Sequence, residues 1–215
     1  MTITWNGLGS FSIVGKPISG DVSLITDPYQ NTTGLRFPRT LNASIVIQSH
    51  DDPVANNLAA VAGEDKSKPF QITHAGEYEI QGIFVNGVRA PKKDGTEHTL
   101  YRIGVEGINI GFLGALDRKL TDTELEGLGN IDVLILPVGG GPVGAKEIAS
   151  EVVQQVEPRL VIPSHFNIPG LKKKLEDVKA FCKELSCASE EAHKIKITKS
   201  SLPVDEVQII VPTRG

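Results

Sequence analysis

His50 opens a segment with the outline of a metal-binding loop. An apolar, strand-like stretch over residues 44–48 leads into a Ser-His-Asp-Asp sequence that ends at Asp52, and an Ala-rich tail follows. Imidazoles and carboxylates are common zinc ligands, and a catalytic zinc keeps three protein ligands and one open position. The segment has a single histidine, however, and Asp52 is equally suited to cap a helix that begins after Pro53. A ligand role and a structural role therefore both stay open.

Other groups that could act together are less well placed. The Ser-His-Asp run at residues 49–51 is adjacent in sequence, whereas a catalytic triad is assembled in space from separate parts of a chain. Glu77 and Glu79 face the same side of a predicted strand at best, and no nucleophile lies between them. We interpret both sets as structural.

Two cysteines and three further histidines add little chemistry. Cys182 and Cys187 are spaced neither as a CxxC redox pair nor as a zinc knuckle. His98 and His193 lie in polar stretches, so we expect both to be exposed. His74 lies beside the GEYE segment and could approach a cleft.

The Gly139-x-Gly141-x-x-Gly144 pattern lies between a predicted strand and a predicted helix, where a dinucleotide pyrophosphate could bind. Two features disfavour this interpretation. Pro142 lacks a backbone N–H for the phosphate cradle. The ribose-binding acid expected about 20 residues later is also absent. A tight turn beside a site is the better interpretation.

The elements that must position these groups change in kind along the chain. Short strands dominate first, and helices then alternate with continuous apolar runs typical of strands buried on both faces. A short helix is predicted over residues 54–62, amphipathic helices over 148–156 and 171–185, and a capping box at Thr121 and Glu124. Strands are predicted at residues 3–5, 11–14, 22–26, 44–48, 70–73, 79–85, 99–105, 108–113, 133–138, 160–163, 194–198 and 207–211. This order indicates a sheet-based α/β or α+β domain with helices outside.

Length and charge exclude several classes of partner. The 215 residues suit a single domain, residues 1–215. A net charge of −4 disfavours nucleic acid and anionic lipid as partners, and the basic run at residues 172–174 is predicted to be a solvated helix face. No run of 18 apolar residues and no signal-peptide pattern is present, so we expect a cytoplasmic protein without a membrane span.

Six segments form a distinctive set in this order: ITWNGLGSF, LITDPY, VIQSHDDPVANNL, PFQITHAGEYEIQGI, FLGALDRKLTDTELEGLGNIDVLILPVGG and VEPRLVIPSHF. Together they resemble the metallo-β-lactamase superfamily, in particular small bacterial Zn-dependent hydrolases related to L-ascorbate-6-phosphate lactonase. The resemblance runs from Trp5 to about Pro212. It implies a four-layer αβ/βα sandwich, in which two mixed β-sheets pack face to face with helices outside and the site lies at the sheet edges. The early Asp27-Pro28 turn is then expected to order a loop over the site.

The resemblance also implies a zinc shell that begins with an H-x-H-x-D-H motif and ends with a histidine after a late strand. His50 stands at the first position and His165 at the last. The middle histidine is expected in the segment VRAPKKDG, which has arginine and two lysines instead. The other ligand positions, including those of histidines found in many members, are taken by Leu8, Asp52, Val54, Ala55, Phe112 and Ala115.

At most His50, Asp52 and His165 thus remain as metal ligands. Because valine, alanine and phenylalanine offer no lone pair to a metal, we expect a largely dismantled zinc site, no cofactor, and a non-catalytic protein with a binding or assembly role. The alternative is a hydrolase of esters, lactones or phosphodiesters that uses one zinc ion at these three residues.

Loss of the metal changes what the cleft should contain. We expect a smaller and less polar pocket filled by Phe112, Leu113 and Leu116, since unpaired acids in an empty cavity are costly. The partner is then an unknown small molecule or protein. Relatives of this type often self-associate, so a homo-oligomer is a further expectation.

Overall fold

Two β-sheets that share one hydrophobic core form the frame of the molecule. The computed structural model describes residues 1–17, 20–64, 67–185 and 189–214. Both sheets contain parallel and antiparallel pairs, and side chains from both enter the same buried cluster. The predicted sandwich of two mixed sheets is therefore confirmed.

The first sheet has six strands in the order β13-β1-β2-β3-β4-β5. Its strands β3 and β4 run parallel and end beside each other at Thr26 and Ile47. Along these strands Leu24, Ile45 and Ile47 enter the main core, whereas Ile25 and Val46 belong to a second cluster. The bounds are β1 Thr2–Gly7, β2 Ser10–Gly15, β3 Val22–Thr26, β4 Ile45–Ile47, β5 Phe70–Ile72 and β13 Lys194–Lys196.

The second sheet has eight strands in the order β12-β14-β11-β10-β9-β8-β7-β6. Strands β9, β10, β11 and β14 are parallel neighbours, and β6 to β9 form an antiparallel meander. Every residue of β10 and β11 is buried, as their continuous apolar runs predict. The bounds are β6 Gly76–Ile80, β7 Ile83–Arg89, β8 Thr99–Val105, β9 Ile108–Phe112, β10 Val133–Pro137, β11 Leu160–Ser164, β12 Ser189–Ala192 and β14 Gln208–Pro212.

The described α-helices cover the outer face of the eight-stranded sheet. Helix α1 (Asp122–Leu128) packs on β7 and β8. Helix α2 (Lys146–Val156) packs on β10, and helix α3 (Val178–Glu184) packs on α2. The outer face of the six-stranded sheet is covered instead by loops with the 3₁₀ turns Asn31–Thr33 and Leu58–Ala60. None of the described helices combines the length and the apolarity that a membrane span requires.

The predicted helix over residues 54–62 is wrong. This segment forms turns and the 3₁₀ helix Leu58–Ala60. The side chain of Asn57 donates to the carbonyl of Tyr29 at 3.0 Å, and that of Asn56 donates to Asp51 at 2.8 Å. Asparagine side chains bound in this way compete with helical hydrogen bonding.

The helix predicted over residues 171–185 begins only at Val178, after Asp177 caps it. In a longer helix the backbone N–H groups of this segment would form helical hydrogen bonds. Here the N–H of Lys172 donates to the Thr33 carbonyl, and the N–H of Glu176 donates to the Gly139 carbonyl. The basic run at residues 172–174 is exposed, as predicted, but is not helical. Cys182 is half-buried on α3, and Cys187 lies outside the described residues.

The strand predicted over residues 79–85 is in fact the end of β6 and the start of β7. Gln81 and Gly82 separate the two strands, and both have positive φ angles. Alternating residues cannot distinguish such a tight hairpin from one continuous strand.

The capping box of α1 is confirmed. The Thr121 hydroxyl accepts from the Glu124 N–H, and the Glu124 carboxylate accepts from the Thr121 N–H at 2.9 Å. Arg118 forms an ion pair with the same carboxylate at 2.7 Å. The capping box is thus a local contact that the sequence alone reveals, and the Arg118 ion pair adds a second one that was not predicted.

Thr121→Ala is expected to lower the free energy of unfolding by about 1 kcal/mol, because one N–H at the start of α1 loses its acceptor. Urea denaturation followed by circular dichroism measures this loss. Thr123→Ala is the matched control, since Thr123 is exposed within the same helix and outside the capping box. Equal losses in the two variants would contradict the capping role.

Candidate functional site

A cleft of about 350 Å3 lies where the loops that follow seven strands meet. It is bounded by the loops after β1, β3, β4, β7, β9, β10 and β11. His50, Asp52 and His165 all line it, so the structure brings together the three candidate residues. Val54 and Ala115, which occupy two positions where the resemblance implies ligands, line it as well.

Asp27 forms the buried floor beneath the His50 loop. Its carboxyl group is fully buried, with Oδ1 accepting from the Ser49 N–H at 2.7 Å and Oδ2 accepting from the Ser49 hydroxyl at 2.6 Å. Burial raises the pKa of Asp27 to about 7, although both bonds from Ser49 oppose the rise. The Asp27-Pro28 turn was predicted to order a loop over the site. Asp27 does order a loop, the one that contains His50, but through the buried contacts with Ser49.

Ser49 orients the imidazole of His50. The Ser49 Oγ lies 2.9 Å from His50 Nδ1, and when Asp27 is ionised the Ser49 hydroxyl donates to it and accepts from Nδ1–H. The tautomer with a proton on Nδ1 leaves a lone pair on His50 Nε2. Gly114 is required at this point, because a Cβ there would lie 2.3 Å from Ser49 Oγ and 2.8 Å from His98 Nε2.

His98 lies in the interior, so the prediction that it is exposed is wrong. Its ring lies 5.5 Å from the ring of His50, and its Nε2 accepts from the Ala115 N–H at 3.2 Å. The backbone pair between Ala90 and His98 closes the β7–β8 hairpin loop and draws His98 inward. No local pattern around His98 indicates this placement. His74 and His193 are exposed, and neither lines the cleft.

His165 reaches the cleft from the end of β11 with a φ angle of 50°, a left-handed conformation uncommon for histidine. The His165 ring packs on Gly9, where a Cβ would lie 2.6 Å from Cε1. The His165 carbonyl oxygen packs on Gly139, where a Cβ would lie 1.9 Å from it. Ser164 Oγ lies 3.2 Å from Nδ1, whereas Nε2 is buried without a hydrogen-bond partner. His98 Nδ1 is likewise buried without a partner, but of these two residues only His165 lines the cleft.

All three buried imidazoles are neutral at pH 7. Burial, assisted by the charge of Lys92, lowers the pKa of His50 to about 4, although Asp52 and Asp51 oppose the change. Burial, with His50 and Lys92, lowers the pKa of His165 to about 3. The pKa of His98 lies well below its usual range, mainly because of burial. Each ring therefore has one N–H and one lone pair.

The residues present do not form a zinc shell. Zinc requires at least three protein donors that converge on one point. Within the part of the chain that the structure describes, no three His, Cys, Asp or Glu side chains are placed to hold a metal ion. Asp52 is exposed, and its Oδ1 accepts from the Val54 N–H at 3.0 Å, which caps a turn.

The apolar lining of the cleft differs from the prediction. Phe112, Leu113 and Leu116 pack in the main core and do not line the cleft. The apolar lining comes instead from Leu8, Val54, Ala115, Val143, Leu171 and Leu175. The glycine-rich loop is a turn beside the site, as predicted, and contributes Pro142 and Val143.

Lys92 is a further cleft residue that the sequence did not single out. It is half-buried in the segment where the resemblance places the middle histidine, and its Nζ donates to the Pro142 carbonyl at 2.8 Å. The signal that could have found it is the replacement of an expected ligand by a cationic side chain.

Asp27→Asn tests the state of the buried carboxyl group. The carboxyl has a pKa near 3.8 in the unfolded chain, so between about pH 4 and about pH 7 the folded protein holds a proton that the unfolded chain has released. The parent therefore loses stability as the pH rises through this range, by roughly 2–4 kcal/mol. Asparagine has the shape of aspartate but does not titrate. As the pH rises, the unfolding free energy of Asp27→Asn should therefore increase relative to that of the parent.

Urea denaturation at about pH 4 and at about pH 8 measures this change. Asp21→Asn is the control, because Asp21 is exposed and its replacement changes the net charge equally. A difference for Asp27→Asn that stays constant with pH, as for the control, would show that the carboxyl is ionised throughout.

Comparisons with known proteins agree with this architecture. The sequence profile described as Beta-lactamase superfamily domain matches residues 2–165. A metal-dependent hydrolase of Thermoplasma acidophilum is 25% identical over 197 residues, which cover 78% of this chain and 84% of the relative. A metal-dependent hydrolase of Pyrococcus abyssi is 27% identical over 185 residues, 70% of this chain and 80% of the relative.

Solved structures extend the likeness over the whole chain. A candidate Zn-dependent hydrolase of the metallo-β-lactamase superfamily from Thermotoga maritima is 27% identical, with a TM-score of 0.79 over 99% of this chain and 100% of that one. A metallo hydrolase from Ignicoccus hospitalis, at 18% identity and a TM-score of 0.63, covers 98% of this chain and 95% of that one and shares the fold. The chain belongs to the metallo-β-lactamase superfamily.

Proposed function

We propose that this chain is a metallo-β-lactamase-fold protein that has lost metal-dependent hydrolysis and uses its cleft to bind a small molecule. The observation that carries the proposal is the set of side chains at the former ligand positions. Val54 and Ala115 line the cleft but offer no lone pair, and Ala55 is fully buried. The two retained histidines therefore lack the partners that a zinc ion needs.

The geometry of Asp52 supports this interpretation. Its backbone carbonyl accepts from the N–H groups of Ala55 and Asn56, and its carboxylate accepts from that of Val54. These hydrogen bonds give Asp52 a structural role in the turn. The sequence left open a role for Asp52 as the cap of a helix after Pro53, and Asp52 caps a turn there instead.

The shape of the cleft supports a binding role. A volume of about 350 Å3 falls within the range of small-molecule sites, which are mostly apolar with a few polar groups. Here Leu8, Val143 and Leu175 supply apolar walls, and His165 supplies an unpartnered ring nitrogen. The left-handed backbone of Leu8 and His165 is the kind of strain that clusters at functional sites.

The second candidate function is hydrolysis with one metal at His50, Asp52 and His165. It is favoured by the two imidazoles, which line the same cleft at the first and last ligand positions and are neutral. It also agrees with relatives named as metal-dependent hydrolases. The likeness to L-ascorbate-6-phosphate lactonase stays a prediction.

Metal analysis of protein purified without chelators separates the two functions. We expect substoichiometric zinc, because two imidazoles without a third donor bind the ion weakly. The Thermoplasma acidophilum relative, purified in parallel, checks that the procedure retains metal. Zinc at one equivalent per chain, lost in His165→Ala but kept in the exposed-site control His193→Ala, would overturn the proposal.

Hydrolysis assays provide the second readout. We expect no turnover of a nitrophenyl ester, a lactone or a nitrophenyl phosphodiester above that of His165→Ala, with or without added zinc. Turnover that requires zinc and falls in His165→Ala, but not in His193→Ala, would establish the one-metal hydrolase.

A further inference from the structure

Lys92 places a positive charge inside the cleft. It follows β7 in the hairpin loop that returns to β8, and a turn between the Lys92 carbonyl and the Gly95 N–H fixes its backbone. Its side chain is half-buried and lines the cleft together with His50 and His165. A cation thus lies in the region where the family resemblance places a metal ligand.

The ammonium group of Lys92 is only partly satisfied. It donates to the Pro142 carbonyl at 2.8 Å, and among the described residues no carboxylate lies within ion-pair distance of it. An ammonium has three donors, so two are left for water or a ligand. A cation held by a neutral carbonyl keeps its full charge for a bound anion.

The charges around the cleft also favour an anion. Lys172 and Lys173 line its mouth, whereas Asp52 is the single carboxylate among the lining residues described. One oxygen of Asp52 is already bound to the Val54 N–H. Three lysines against one aspartate give the lining an excess of positive charge, although the whole chain has a net charge of −4.

His165 offers a second polar contact at the base of the cleft. The residue is 2% exposed, and its Nε2 has no hydrogen-bond partner. When Ser164 Oγ donates to Nδ1, Nε2 carries the ring proton and becomes a donor. A buried N–H without an acceptor is costly, and an oxygen atom of a ligand would satisfy it.

We propose that the cleft binds a small molecule through an anionic oxygen group, a phosphate or a carboxylate, which accepts from Lys92 Nζ and His165 Nε2. The apolar part of the ligand lies against Leu8, Val143 and Leu175. This inference rests on the proposed function, since a zinc ion at the imidazoles would take the place of the anion. The lysine ammonium supplies the positive charge that the metal supplies in an active relative.

Calorimetric titration with phenyl phosphate, benzoate and benzamide tests the proposal and distinguishes the two anions. We expect saturable binding of at least one anion and much weaker binding of neutral benzamide. Lys92→Met keeps a long unbranched side chain but removes its charge. It should weaken anion binding by about tenfold to a hundredfold, the effect of losing a charged hydrogen bond. Lys92→Arg should retain most of the affinity, which shows that charge and not shape is measured.

Lys93→Met is the matched control, because Lys93 is adjacent, exposed and outside the cleft. It should bind the anion as the parent does. Nuclear magnetic resonance of the imidazole rings gives a second readout, in which the anion shifts the His165 signals and leaves those of the exposed His193 in place. Circular dichroism spectra of all variants should coincide with that of the parent.

The inference is overturned if neither anion binds saturably, or if Lys92→Met and Lys93→Met weaken binding equally. Zinc is measured on the same samples, so failure of the proposed function appears separately, as stoichiometric metal. Anion binding that disappears with a chelator would belong to a metal and would also overturn the inference. Zinc-free protein that binds no anion overturns this inference alone.

Discussion

The buried hydrogen bonds between Asp27 and Ser49 hold the cleft together. A fully buried carboxyl is costly unless its oxygens are bonded, and here both accept from the same residue. The raised pKa of Asp27 reduces that cost further, because the neutral form needs less solvation. Ser49 in turn contacts His50, and Gly114 packs on Ser49, so loops after β3, β4 and β9 meet at this one polar group.

The same arrangement holds the shape of the cleft without contributions from the side chains that line it. The floor consists of Asp27, Ser49 and Gly114, none of which needs a metal for its contacts. His165 is fixed separately, by its packing on Gly9 and its contact with Ser164. The shape of the cleft thus depends on the sheets and on this floor, whereas its chemistry depends on the side chains that line it. A fold can be kept while its function changes, and this division shows a physical reason.

The elements that could be predicted from the sequence are those held by local contacts or by continuous burial. The capping box at Thr121, the buried strands β10 and β11, and the turn at the glycine-rich loop follow from neighbouring residues alone. The segments at 54–62 and 171–177 were mispredicted because their polar groups bond to distant parts of the chain. Helical periodicity is visible in a sequence, but such long-range competition is not.

In the candidate site, too, the residues with a local signal in the sequence could be predicted, and those positioned by long-range contacts could not. The resemblance identified His50 and His165, which lie in strand-to-loop segments with recognisable motifs, and the structure places both on one cleft. His98 and Lys92 were missed or misplaced because their positions depend on how the β7–β8 loop folds back. That loop is polar, so its two inward-facing residues look like ordinary surface residues, and only the resemblance marks the position of Lys92 as part of the site.

A lysine ammonium and a zinc ion share only part of their chemistry. Both attract an anionic ligand, but zinc also lowers the pKa of a bound water to about 7 and so supplies hydroxide. An ammonium group donates hydrogen bonds and cannot coordinate the oxygen of a water in that way. Under the proposed function, Lys92 recognises an anion in a cleft where Val54 and Ala115 stand at the positions that the resemblance assigns to ligands. Recognition of the anion is then separate from generation of a nucleophile. A site of this kind can lack hydrolysis and still prefer a negatively charged ligand.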